Sequence, residues 1–170
     1  MRAKRNGQWV DLSYRELGQQ VRDLSIGLLE LGVRPGDRVA ILSENRPEWA
    51  MADYACLAAR CTDVPIYPTL PAKQAEYVLR DSGAVAIFVS NRGHLDKVES
   101  LRGRLPALAH VITLDPELVG PGVRSLKQVM AGGQRAASRH PDWQSQALRA
   151  EPGDLATLIY TSGTTGEPKG

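Results

Sequence analysis

The ten residues Thr161-Ser162-Gly163-Thr164-Thr165-Gly166-Glu167-Pro168-Lys169-Gly170 combine the groups that suit a polyphosphate. Gly163 and Gly166 allow a backbone to turn sharply and come close to a ligand. The hydroxyls of Thr161, Ser162, Thr164 and Thr165 offer donors to phosphate oxygens, and successive backbone amides can form an anion-binding nest. Lys169 adds a point charge on a flexible stem, and Pro168 stiffens the approach to it. Two familiar phosphate loops are excluded. The form G-x-x-x-x-G-K-[ST], counted from Gly163, finds Pro168 at its second glycine and Gly170 at its hydroxyl. The dinucleotide form G-x-G-x-x-G fails because the segment contains no G-x-G. A flexible Gly/Ser/Thr linker has a similar composition. Against that reading, Leu158-Ile159-Tyr160 immediately before the segment is strand-like, and a linker needs no Pro-Lys at a set distance.

Other residues able to do chemistry are scattered. Cys56 and Cys61 fit neither a CxxC redox pair nor a common zinc spacing, and they flank an apolar helical stretch where small buried residues belong. His94, His110 and His140 lie far apart with no second ligand at helical spacing, so no metal site and no catalytic side chain is assigned. The net charge of +2 arises from 21 basic and 19 acidic residues spread along the chain, which argues against a nucleic-acid surface. The short basic group Arg2, Lys4, Arg5 reads as a solvated end. The first thirty residues alternate charged and apolar positions, unlike a secretory leader. No apolar run approaches the ~20 residues of a membrane span. The expected place is the cytoplasm, with peripheral contact at a membrane left open.

The elements that must position the loop are readable from pattern. Ser13-Tyr14-Arg15-Glu16 has the capping-box form, and Leu17, Val21, Leu24, Leu28 and Leu31 then mark one helical face, closed by Gly32. Residues 37–42 read as a strand. Pro47 starts a helix that is apolar nearly all round over residues 49–59. Residues 64–67 are extended, because proline disfavours helix in the residue before it. Pro71 opens a further helix with Ala75, Val78 and Leu79 inward, ending at Ser82-Gly83. Residues 84–89 suit a buried strand, Leu95, Val98 and Leu101 a helix, and residues 110–114 another strand. A loop over 116–123 precedes a helix starting at 125–130. The pattern then fades into a surface excursion over 131–152 before a strand at 155–160. Strands alternating with helices predict an α/β fold with a largely parallel sheet and right-handed crossovers.

Residues 158–170 (LIYTSGTTGEPKG) match the AMP-binding signature of the adenylate-forming superfamily at every constrained place. Residues 9–17 (WVDLSYREL), 31–41 (LGVRPGDRVAI) and 81–84 (DSGA) resemble N-terminal blocks of that superfamily in their expected order. Residues 43–49 (SENRPEW) and 64–70 (VPIYPTL) are most similar to long-chain fatty acyl-CoA synthetases; physically they read as a helix start and an extended turn that shape the fold. One departure stands before the last block, where relatives commonly carry glycine and this chain has Arg60-Cys61-Thr62. A left-handed residue there would cost roughly 1 kcal/mol.

The resemblance implies an incomplete part of the large N-terminal domain of an adenylate-forming enzyme, residues 1–170 being a fragment cut after its phosphate loop. It implies activation of a fatty acid by ATP to an acyl-adenylate, then thioester formation with coenzyme A, with magnesium sharing the phosphate charge. Thr161, Ser162, Gly163, Thr164, Thr165, Gly166 and Lys169 would hold the nucleotide. Other acyl- or aryl-CoA ligases of the superfamily, or a non-catalytic nucleotide-binding remnant, are the alternatives. The coding sequence after Gly170 would separate a ligase fragment from a remnant.

Overall fold

The computed structural model describes residues 1–5, 7–161, 169 and 170. An antiparallel hairpin, β1 (Arg2–Arg5) and β2 (Gln8–Asp11), comes first. The basic N-terminus is therefore paired, and Arg2 Nε donates to Asp11 Oδ1 at 2.6 Å. Between the strands the sequence reads Asn6-Gly7, a dipeptide that signals a two-residue hairpin, and Gly7 sits at φ 80°.

The main body is a five-stranded parallel sheet in the order β4-β3-β5-β6-β7, with β3 Arg38–Leu42, β4 Thr62–Ile66, β5 Ala86–Val89, β6 His110–Thr113 and β7 Val123–Ser125. Helices α1 (Tyr14–Glu30), α2 (Pro47–Ala58) and α5 (Leu126–Ala136) cover one face; α3 (Ala72–Ser82) and α4 (Arg92–Leu101) cover the other. Successive strand residues divide between the two cores. Val39, Ile41, Ala86, Phe88 and Ile112 join the first, and Ala40, Leu42, Ile87, Val89 and Val111 the second. This is why the strands are apolar without alternation.

Local chemistry fixes the helix ends. Ser13 caps α1 with both bonds of a capping box, Glu16 N–H to Ser13 Oγ at 3.2 Å and Ser13 N–H to Glu16 Oε2 at 2.8 Å. Helix α2 begins on Pro47 and ends in a left-handed turn at Arg60, φ 57°, where Cys61 N–H reaches back to the Cys56 carbonyl at 2.8 Å. The departure from glycine thus falls on a residue that does need the left-handed conformation. Cys56 and Cys61 are buried free thiols, 0 % and 2 % exposed. Burial pushes the Cys56 thiol well up and takes Cys61 to about 12, with the Asp37 carboxylate adding to the latter.

Two expectations need correction. Residues 131–152 are not simply a surface excursion: α5 runs to Ala136, and a short 3-10 turn and a helix, α6 (Trp143–Ala147), follow. The pair Gly132-Gly133 looked like fading helix signal but lies inside α5. A Cβ on Gly133 would stand 1.9 Å from the Asp23 carbonyl oxygen, and one on Gly27 would stand 2.3 Å from that of Val129. The backbones of α1 and α5 thus touch through two glycines. The second correction concerns residues 155–160, which form one isolated parallel bridge, Thr157 to Asp63, and not a strand.

Gly132 and Gly133 make a paired test of the helix contact. Nothing lies within 4 Å of a Cβ on Gly132. Gly132→Ala should stabilise by about 0.5 kcal/mol through helix propensity, and Gly133→Ala should cost about 3 kcal/mol by forcing the helices apart. Urea denaturation of both variants checks this; equal effects would mean that the two backbones do not touch.

Candidate functional site

The loop's stem is laid along the free edge of the sheet. Asp63 of β4 donates its N–H to the Ala156 carbonyl at 3.1 Å, and its own carbonyl accepts from Leu158 N–H at 2.9 Å. The next outward-facing residue of β4 is Pro65, which has no N–H to give, so the ladder stops after one residue. Side chains take over the work of pairing. Thr62 Oγ1 donates to the Leu155 carbonyl at 2.9 Å, Thr157 Oγ1 donates to Asp63 Oδ2 at 3.1 Å, and Arg60 Nη2 meets Asp154 Oδ2 at 2.8 Å. The bond from Arg60 holds the Asp154 carboxyl below its ordinary range.

Because this stem runs parallel to β4, Thr161 emerges at the carboxyl end of the sheet, the end at which open α/β sheets bind ligands. Thr161 and Lys169 then close on each other, Thr161 N–H to the Lys169 carbonyl at 3.0 Å and Lys169 N–H to the Thr161 carbonyl at 3.1 Å. Of the expected phosphate-binding residues, these two are brought together, both exposed. Ser162, Gly163, Thr164, Thr165 and Gly166 lie outside the described residues. Beneath the closure Tyr160 is buried, its hydroxyl donating to Asp81 Oδ2 at 2.6 Å and its ring edge-on to Tyr77 at 6.4 Å.

A second polar group ties the carboxyl ends of β3 and β5, between which the strand order reverses. Ser90 Oγ donates to Glu44 Oε2 at 2.6 Å and stands 2.9 Å from His94 Nδ1, and Asn91 Nδ2 donates to Glu44 Oε1 at 2.9 Å. Lys97 Nζ donates to the Leu70 carbonyl at 2.7 Å. Glu44 and Leu70, one from each synthetase-like block, are thereby tied to the turn between β5 and α4 and to α4 itself. Among the described residues no group of three or more His, Cys, Asp or Glu is placed to hold a metal ion.

Comparison with known proteins gives the family and the fold. The profile of the family described as "AMP-binding enzyme" matches residues 2–170, and the chain belongs to that family. It is 41% identical over 165 residues to the long-chain-fatty-acid–CoA ligase FadD15 of Mycobacterium tuberculosis, covering 97% of this chain and 26% of that protein. It is 34% identical over 172 residues to the long-chain-fatty-acid–CoA ligase ACSBG2 of Xenopus laevis, covering 99% of this chain and 23% of that protein. The chain thus spans about a quarter of the length of these relatives. Among solved structures, the anthranilate CoA ligase AuaEII in complex with anthranoyl-AMP superposes with a TM-score of 0.78 at 27% identity, over 94% of this chain and 29% of that one. A long-chain-fatty-acid-CoA ligase (FadD1) from Archaeoglobus fulgidus gives 0.72 at 26% identity, over 92% and 29%.

The sequence did not single out Asp63, Thr157 or Tyr77, and it marked Asp81 only as the first residue of the block at 81–84. The available signal was Pro65 in an edge strand, which marks a ladder needing side-chain help. Asp63 is 3% exposed, and burial, with Asp53 nearby, pushes its carboxyl up to about 6. An acid whose folded value is raised loses stability as pH rises from its unfolded value toward the folded one. Between roughly pH 4 and 6 the chain should therefore lose up to about 3 kcal/mol on this account. Asp63→Asn, which can still accept from Thr157, should remove that fall and be the more stable form at neutral pH. Denaturant titrations across this range check it; parallel pH profiles for the two forms would contradict it.

Proposed function

We propose that residues 1–170 are the N-terminal portion of the AMP-binding domain of a ligase that activates a fatty acid with ATP and passes the acyl group to coenzyme A. The observation that carries this reading is the phosphate signature closed by the Thr161–Lys169 backbone pair at the carboxyl end of a parallel α/β sheet. The fatty-acid substrate is suggested by the relatives' names. An aryl acid is the second reading, favoured by the likeness to the anthranilate ligase.

Attack of a carboxylate oxygen on the α-phosphorus of ATP forms the acyl-adenylate and breaks the bond to pyrophosphate, where negative charge develops. Positioned donors stabilise that charge without covalent chemistry. In this reading the hydroxyls of Thr161, Ser162, Thr164 and Thr165 and the loop amides hold the β- and γ-phosphates. Gly163 and Gly166 let the backbone approach, and Lys169 compensates charge. The coenzyme A thiol then displaces AMP. No acidic cluster for magnesium stands among the described residues. The ion would come with the nucleotide. None of the described helices is long and apolar enough to cross a membrane. The proposed setting is the cytoplasm, with peripheral membrane contact for a lipid substrate.

In the complete ligase, Lys169→Ala combined with Thr164→Ala should lower kcat at least tenfold while leaving the fatty-acid KM near its original value, because both groups act on the leaving pyrophosphate. An intact kcat with only the fatty-acid KM raised would reject the assignment. Residues 1–170 alone should give no fatty-acid-dependent ATP–pyrophosphate exchange, since placing the α-phosphate and the carboxylate supplies much of the rate.

A further inference from the structure

We infer that Tyr160 and Asp81 are positioning residues for the phosphate loop, a latch that fixes where its two ends leave the sheet. This rests on the ligase reading above. Tyr160 directly precedes Thr161, and Thr161 is bonded through both its backbone groups to Lys169. Gly170 follows Lys169, and a Cβ on Gly170 would lie 2.9 Å from the Tyr160 ring. One end of the loop is thus covalently joined to Tyr160 and the other rests on its ring. Ile159 and Thr161 on either side are exposed, whereas Tyr160 points into the core beneath α3.

The hydroxyl adds what packing cannot. A phenylalanine ring would fill the same apolar space, but it would be free to slide and rotate within it. The 2.6 Å bond from Tyr160 Oη to Asp81 Oδ2 fixes the depth of the ring, and the edge-on contact with Tyr77, one turn earlier on α3, fixes its plane. Burial and the neighbouring carboxylate both push the Tyr160 phenol up, so it stays a donor. Asp81 is exposed and lies in the last turn of α3, next to its carbonyl end, where a negative charge is unfavourable to the helix. Helix stability gives no reason for an acid there; holding Tyr160 does. The block at residues 81–84 is, on this account, the seat of the loop's stem.

The latch acts through the loop, so its loss should be read in nucleotide kinetics before stability. In the complete ligase, Tyr160→Phe and Asp81→Ala should each lower kcat/KM for ATP about tenfold, with the fatty-acid KM unchanged. Asp81→Ala should keep the thermal midpoint, since it removes an unfavourable charge from a helix end. The double variant should be no worse than the weaker single one. Hydrogen exchange of the Thr161 and Lys169 amides should speed up about tenfold in each variant. Unchanged ATP kinetics together with unchanged exchange, or losses that multiply in the double variant, would overturn the latch. If the unaltered ligase shows no ATP–pyrophosphate exchange, the ligase reading fails, and amide exchange alone then decides: faster exchange supports the latch and unchanged exchange refutes it.

Discussion

A parallel sheet has to be covered on both faces, and most of this chain follows from meeting that demand with five helices. The central strands β3, β5 and β6 are apolar on consecutive residues because both sides are core. The connection leaving β3 goes to β4 on one side, and the next returns to β5 on the other, so the two layers fill from a single reversal of direction. The first face must take three helices across the width of the sheet. Space for the third is found by bringing α5 onto the backbone of α1 at Gly27 and Gly133. A glycine inside a helix is costly by propensity, and at Gly27 of α1 and Gly133 of α5 that cost is tolerated because it permits the approach.

The edge of the sheet shows the same demand from another side. An uncovered strand presents unpaired backbone groups, and β4 is at the edge. Its outer side is occupied by the return of residues 155–158, but Pro65 ends the ladder after one residue. Thr62, Asp63 and Arg60 complete the attachment with side chains. The stem that leads to the proposed phosphate loop is therefore held partly by backbone and partly by side chains, and Tyr160 is where it turns inward.

What could be read from sequence, and what could not, divides along physical lines. Elements with a local signal were legible: the Ser13–Glu16 box, the Leu17–Leu31 face, Pro47 opening α2, and the buried strand before β5's end at Val89. The loop could be proposed as a phosphate site from sequence alone, because Gly163, Gly166, the hydroxyls and Lys169 are adjacent in the chain. Features that depend on a distant partner were not. Gly133 reads as helix weakness unless Asp23 is known to face it, and Asp81 reads as a surface acid unless Tyr160 is known to reach it. The expected strand at 155–160 failed because its partner, and not its own residues, carries the proline. Arg60 lies between these cases: the missing glycine was visible, and the left-handed backbone that makes it matter needed the fold.

The two thiols carry a practical consequence. Alkylation needs access and a thiolate, and Cys56 and Cys61 offer neither, being buried with their ionisation suppressed. An added surface cysteine would thus be labelled against a silent background, without first removing the native pair. Slow modification of Cys56 would in turn require α2 to lift from the sheet, so a thiol reagent becomes a clock for the local opening of that helix.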